Sequence, residues 1–328
     1  MTRKPYKPVD PAGIRTYSIR QRRHKVSTAC LAGLSPAGAS AAQLLGSMPD
    51  VLGVREFRAT VEAMVRAVRN RRPVVFAMGA HVVKVGCSPI VVDLIRRGVV
   101  SAVACNGAFA IHDVEMATIG ATSEEVAEGI RDGSFGMVSE TLDFFRRAGD
   151  LAHEGGLGLG QAVGRLLVET KPTNVGASVL AAAFEASIPA TVHVALGTDT
   201  VHMTDATDGA QIGAASLLDF RLLCDVAGDL GAAGDSDAGG VWLNIGSAVV
   251  MPEVFLKAVT VARNLGANLD ALTTADFDMH RHYRPTVNVV TRPVARGRGH
   301  AVTGHHEILL PLLRLAVLEG LAAQGGVP

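Results

Sequence analysis

Histidines and small residues meet at the ends of apolar runs in this chain, and those junctions are where chemistry is to be sought. His81, His112, His193 and His202 stand at or just beyond segments that read as strands. His280, His282, His300, His305 and His306 crowd the last fifth of the sequence. An imidazole poised near neutrality shuttles protons, and a neutral one ligates metal. Among the acids, Asp113, Asp199, Asp205, Asp208, Asp276, Asp278 and Glu307 fall near the same junctions. Asp199 and Asp278 follow strands most directly. They are candidates to hold a ribose hydroxyl or a cationic nitrogen, and capping of the next helix is the alternative role. "DMHRHY" puts His280 and His282 on one face of a strand or on opposite faces of a helix. With no HExxH and no cysteine pair nearby, no metal site is expected.

These groups need elements to hold them. "PVVFAMGAHVVKVGCSPIVVDLIRRG" reads as strand, glycine turn and helix, and "VVSAVACNGAFAIHDVEMATIG" repeats the scheme. "SIPATVHVALGTDTVHM" and "GGVWLNIGSAVV" give a third and a fourth strand, and strands are also expected in "NLDALTTADFDM" and "RPTVNVVTRP". A helix is expected around 52–70. The glycine-rich sections 129–136, 154–165 and 228–240 read as surface loops, the last of them mobile. Strands alternating with helices predict an α/β fold with a doubly wound, mostly parallel Rossmann-like sheet. In such a sheet, ligands bind beyond the carboxyl ends of the strands. Those ends are read as Gly79-Ala80-His81, Asn106-Gly107-Ala108, Gly197-Thr198-Asp199, Gly246-Ser247-Ala248 and Thr273-Thr274-Ala275-Asp276. Small residues there let a dinucleotide approach the backbone, although tight helix–strand packing would require them too.

Composition bounds the rest. The 328 residues carry 31 basic and 31 acidic groups, so no global field draws the protein to nucleic acid or a membrane, and at 4 % aromatic content no base-stacking platform is evident. The exception is residues 1–27, an arm in which Arg3, Lys4, Lys7, Arg15, Arg20, Arg22, Arg23 and Lys25 face only Asp10. It is read as a solvated or subunit-clasping tail, with anion binding as the alternative. Residues 28–328 are read as one large domain. Cys30, Cys87, Cys105 and Cys224 form no CxxC pair and suit buried thiols in a reducing, cytoplasmic setting. No apolar run is long enough to span a bilayer.

Several blocks, in order, carry a resemblance: "GAHVVKVG", "NGAFAIHD", "TSEEVAEGIRDGSFGM", "SIPATVHVALGTDTVHM", "GSAVVMPEVF", "TTADFDM" and "HHEILLPLL". From about Pro73 to Leu313 the chain resembles the deoxyhypusine synthase family, specifically its divergent bacterial members. The resemblance implies bound NAD and a homotetramer with sites between subunits. It also implies a redox-neutral reaction in which NAD oxidises an amine carbon to an imine, an aminobutyl group is transferred, and the stored hydride reduces the new imine. It matches Ala80, His81 and Val82 to the first nucleotide-binding turn, Asn106, Gly107 and Ala108 to the second, and Thr274, Ala275 and Asp278 to the adenosine end, and it lays Gly246 and Ser247 against the dinucleotide or its substrate; Gly79, from the rim turn, is expected to bind the cofactor with them.

The substrate side departs from the family pattern. His112 replaces a glutamate, His202 stands near an expected aspartate, and Pro252 lies near an expected histidine. No lysine follows Lys257, and the only tryptophan is Trp242, so the family's imine-forming lysine is missing. Arginine cannot replace it, because it stays protonated. The expectation is therefore an NAD-dependent, redox-neutral transferase or lyase on a small amine, with His112, His202 and Asp199 as catalytic residues. Lys84 is a candidate nucleophile or phosphate contact. The alternatives are a non-catalytic NAD-binding or regulatory protein, a polyamine-modifying synthase of the homospermidine type, and a metal-dependent hydrolase.

Overall fold

The computed structural model describes residues 5–231 and 238–323. Arg3 and Lys4 of the basic arm, and 232–237 of the expected mobile loop, lie outside the described residues. From 5 to 29 the arm is exposed throughout, interrupted only by short 3-10 turns such as Pro11–Gly13 and Ile19–Gln21.

Six strands form the sheet: β1 (Val74–Met78), β2 (Ala102–Asn106), β3 (Ala190–His193), β4 (Val241–Ile245), β5 (Thr273–Asp278) and β6 (Gly299–Thr303). Their spatial order is β3-β2-β1-β4-β5-β6 and every neighbouring pair is parallel. This is the doubly wound Rossmann order, with the reversal between β1 and β4. The sheet is thus wholly parallel, where the sequence had suggested mostly so.

The helices are α1 (Ala41–Ser47), α2 (Leu52–Arg69), α3 (His81–Lys84), α4 (Ser88–Arg96), α5 (Gly107–Ile119), α6 (Val126–Asp132), α7 (Ser139–Gly155), α8 (Leu159–Thr170), α9 (Val179–Glu185), α10 (Gly209–Gly228), α11 (Val250–Asn264), α12 (Tyr283–Pro285) and α13 (His306–Ala322). Among the described residues no helix is long and apolar enough to cross a membrane.

Alternation along the strands divides the core. Val74, Phe76 and Met78 join the cluster that holds α2, α4, α5, α9 and α13, whereas Val75, Ala77 and Trp242 face α10 and α11. Both faces of a parallel sheet are covered in this way, which is why β1 is buried at all five positions. Trp242 stacks on Phe255 at 4.1 Å between ring centroids.

Three readings require correction. The sixth strand is Gly299–Thr303, not 284–293; that stretch forms α12 and a π-helical turn at Thr286–Thr291. Its β-branched residues look like a strand but are held as a helical turn under β5, where Thr274 Oγ1 donates to Val289 O at 2.7 Å. The second concerns section 154–165, which is no surface loop, because from Leu159 it is α8. A methyl on Gly160 would collide with the Ala190 carbonyl and one on Gly164 with that of Leu180, so these glycines serve close packing. Finally, Thr273, Thr274 and Ala275 open β5 rather than close it. At about 3.3 Å per residue, Thr274 lies roughly 13 Å below Asp278, away from the carboxyl rim.

Candidate functional site

The site is built at the junction of β2 and α5. Asn106 ends the strand, and its Oδ1 accepts from Phe109 N at 2.9 Å, capping the helix. The next residue is Gly107, and a methyl there would overlap the carboxylate of Asp199 where it now lies. That carboxylate, carried by the turn after β3, is therefore drawn against the positive end of α5. Asp199 is buried, and its Oδ2 has no partner among the described residues. Burial pushes its carboxyl above the ordinary range, while the neighbouring His202 favours the charged form.

Beside this junction opens a cavity of about 590 Å³, walled by α5, the start of α7, the segment between them and the Thr198–Thr200 turn. Most of its wall is apolar, including Ile111, Val114, Val126, Val138 and Phe144. The polar groups converge on one side. His112 Nδ1 lies 2.6 Å from Thr122 Oγ1, and that hydroxyl donates to Glu115 Oε2. Thr122 has one proton and gives it to the carboxylate, so His112 Nδ1 carries the proton that Thr122 accepts. Nε2 has no hydrogen-bond partner among the described residues. Thr141 Oγ1 holds the other carboxylate oxygen at 3.1 Å. Burial would raise the Glu115 pKa, but the hydrogen bonds from Thr122 and Thr141 and the His112 ring 3.6 Å away outweigh it and hold the carboxyl below its ordinary range. Lys84, at the end of α3, faces the same space.

The usual crevice between β1 and β4 is filled by protein. Gly79 N donates to Ile245 O at 3.0 Å, and a methyl on Gly79 would overlap the Gly246 carbonyl. Gly246, at φ +61°, lies beneath the ring of His306. His306 is fully buried and donates from Nε2 to Phe277 O at 3.1 Å, and its Nδ1 has no partner among the described residues. His81 meets it edge-on at 5.4 Å, and burial and then His306 lower the His81 pKa. Ser247 Oγ accepts from Met251 N at 3.2 Å, so this turn caps α11. In β5, burial pushes Asp276 up to about 6 despite a bond from Asn244, and Asp278, its last residue, lies 3.8 Å from His282.

Of the residues singled out from sequence, Ala108, His112 and Asp199 line the open cavity, with Lys84. Asn106 and Gly107 shape its floor without lining it. Gly79, Ala80, His81, Gly246, Ser247 and Asp278 gather around the filled crevice, and Thr274 and Ala275 lie deeper in β5. His202 sits beside Asp199 but outside the cavity lining, its Nδ1 buried without a partner. His193 is a core histidine at the end of β3: its Nε2 lies 3.0 Å from Thr191 Oγ1, and burial lowers its pKa to about 4. Asp113, read as a rim acid, lies on the buried face of α5, where it accepts from Ser178 Oγ and two backbone N–H groups of α9. Among the described residues no three His, Cys, Asp or Glu gather in a metal-binding group.

Glu115, Thr122 and Thr141 were missed. Glu115 was within reach, for it follows His112 by three positions on a predicted helix and must share its face.

Against a bound dinucleotide, the residues fit on one side. Asp199 offers an unpartnered buried acceptor suited to hydroxyl donors, Ala108 leaves room beside it, and Lys84 supplies a cation. Over β1 and β4 the chain instead closes on itself, through Gly79 against Ile245 and Gly246 and through His306 over Gly246.

Fold and site together define a Rossmann-fold protein with its cavity beyond β2 and β3. Residues 59–140 match the family described as arginine dihydrolase ArgZ-like, C-terminal, Rossmann fold. No curated protein matches the chain in sequence. Among solved structures, the ternary complex of AgrE with ornithine and NAD+ aligns at 19% identity and a TM-score of 0.50, covering 82% of this chain and 34% of that one. A candidate deoxyhypusine synthase from Entamoeba histolytica aligns at 11% identity and a TM-score of 0.50, covering 89% and 96%. Apo ArgZ, an arginine dihydrolase from the ornithine-ammonia cycle in cyanobacteria, aligns at 15% identity and a TM-score of 0.49, covering 83% and 34%. The chain thus spans about a third of the ArgZ and AgrE structures it matches. The tie to deoxyhypusine synthase is a distant one, at the level of the fold.

Proposed function

We propose that this protein is an NAD-dependent, redox-neutral transferase or lyase acting on a small amine-bearing substrate. The observation that carries this reading is the Glu115–Thr122–His112 relay on the wall of an apolar cavity whose other polar wall is Asp199. Bound NAD would supply a transient hydride acceptor. Asp199 would accept from ribose hydroxyls, and Lys84 would face phosphate. His112 Nε2 would take a proton from the substrate and return it, while Glu115, through Thr122, keeps the proton on Nδ1 and stabilises the imidazolium. The apolar wall would exclude water from the reacting carbon. His202 would act through Asp199 rather than on substrate. Exposed Leu217, Leu218 and Leu222 along α10 support self-association, for which we propose a homotetramer. The buried free Cys87, Cys105 and Cys224 suit a reducing cytoplasm.

The test is to incubate purified protein with NAD and either ornithine or spermidine, following products by mass spectrometry and NADH by absorbance. Product without NADH accumulation is expected. NADH formed one for one with product would indicate an ordinary dehydrogenase instead. NAD binding with no turnover, unchanged in His112→Ala, would indicate a non-catalytic nucleotide-binding protein.

A further inference from the structure

Two stretches of this protein leave large apolar side chains in solvent and carry opposite charge. The first is the N-terminal arm, in which Tyr6, Val9, Ile14, Tyr17, Ile19 and Val26 are all exposed. The second is α6 with its flanks. There Ile119, Val126, Ile130, Met137 and Val138 are exposed, and within the helix only Gly129 is buried. Apolar exposure on this scale marks an interaction surface.

Charge sets the two apart. From residue 5 to 29 the arm holds Lys7, Arg15, Arg20, Arg22, Arg23 and Lys25 against Asp10, and none of these cations forms an ion pair among the described residues. Residues 119–138 hold Glu124, Glu125, Glu128 and Asp132 against Arg131, and these carboxylates form no ion pair there either. Glu124 accepts from Gly136 N at 2.8 Å and Asp132 from Ser134 N at 3.0 Å, contacts with neutral backbone that leave the charge uncompensated.

The patterns match as well as the signs. In the arm, Ile14, Tyr17 and Ile19 are flanked by Arg15 and Arg20. On α6, Val126 and Ile130 stand four apart on one face, and Glu125, Glu128 and Asp132, at spacings of three and four, line the face beside it. The exposed leucines of α10 lie beside Arg221 and Asp225, one of each sign, and give a basic segment no such preference.

Within one chain the two stretches belong to opposite halves of the sheet. Arg58 of α2 donates to Met48 O at 3.0 Å just after α1, and Glu56 of α2 lies 2.7 Å from His300 of β6, so the arm springs from the β6 side. The α6 segment belongs to the insert between β2 and β3, at the other edge. The arm is exposed along its whole described length, so its own chain does not cover it.

We infer that the basic arm of one copy of this chain docks on the α6 surface of a second copy. This contact is separate from the α10 face and does not rest on the proposed reaction. Opposite charge steers the approach and fixes the register, and the apolar side chains on both sides leave water together.

The test is sedimentation velocity over a dilution series at low salt. It compares the wild type with an arm variant, Arg15→Glu/Arg20→Glu/Arg23→Glu, and an α6 variant, Glu125→Lys/Glu128→Lys. All five side chains are exposed, so folding is retained. Each variant alone should self-associate about tenfold or more weakly than the wild type, because like charges then meet across the contact. An equal mixture of the two should regain the wild-type association, since each arm again meets a patch of opposite sign on the other chain. Variants that associate as the wild type does would overturn the inference. So would a mixture no stronger than its components, the result expected if each arm folded back on its own α6.

Discussion

Asp219 lies fully buried on α10, where its Oδ2 accepts from Gly160 N at 2.9 Å and from Val192 N at 2.8 Å. Its Oδ1 has no partner among the described residues, and a methyl on Gly158 would overlap that oxygen. One carboxyl thus ties α8, β3 and α10 together. Burial pushes its pKa from 3.8 to about 7, against the opposing backbone hydrogen bonds. The folded protein then binds a proton that the unfolded chain has already released between about pH 4 and pH 7. Stability therefore falls as pH rises through that window. Integrated over the whole window, the loss is about 4 kcal/mol, of which about 2–3 kcal/mol falls between pH 5 and pH 8. Asp219→Asn keeps the acceptor oxygen and fixes a neutral group in place of the acid. Urea unfolding of both proteins across that range, at one protein concentration, gives the difference between them. Asp113 and Asp276, both pushed to about 6, titrate in both proteins and cancel in that difference. The variant should gain about 2–3 kcal/mol on the wild type from pH 5 to pH 8. A difference that stays flat across the range would refute the argument that this carboxyl is held neutral by burial.

Other outcomes follow from the site and the core. His112→Asn should lower turnover by about 10²–10⁴-fold while NAD affinity changes little, as read by steady-state kinetics and calorimetry. Glu115→Gln should cost less in rate and alter the pH profile, because it removes the charge behind the relay but no atom that meets substrate. Gly107→Ala should displace the Asp199 carboxylate and weaken NAD binding at least tenfold, as should Asp199→Asn with no new methyl in the way. Trp242→Ala should destabilise by about 3–5 kcal/mol in denaturant unfolding. Trp242→Phe should cost far less, because it also removes a buried indole N–H that lacks a partner.

The strands that could be read in advance are those buried on both faces and followed by small residues, as in "VVFAMGA" and "AVACNGA". Burial writes an unbroken apolar run, and the turn writes glycine. β6, "GHAVT", is half-exposed at the sheet edge and has neither mark. "TVNVVT" has the composition of a strand, but tertiary packing under β5 makes it helical. Within the site, His112 and Asp199 were legible because each follows a strand closely, and the structure brings them to one cavity. Thr122 and Thr141 belong to separate elements that only the folded chain brings to Glu115, so no spacing could announce them. The filling of the β1–β4 crevice by His306 was equally invisible, since that side chain arrives from the far end of the sequence.

Everything from Gly107 to Pro189 is a single excursion of the chain between two adjacent strands, and it supplies nearly all of the cavity wall. The sheet beneath it fixes only the floor. Ligand preference can therefore drift by exchange within one contiguous insert while the other half of the protein stays as it is. A swap of that insert between relatives would be the natural unit for altering what this scaffold accepts.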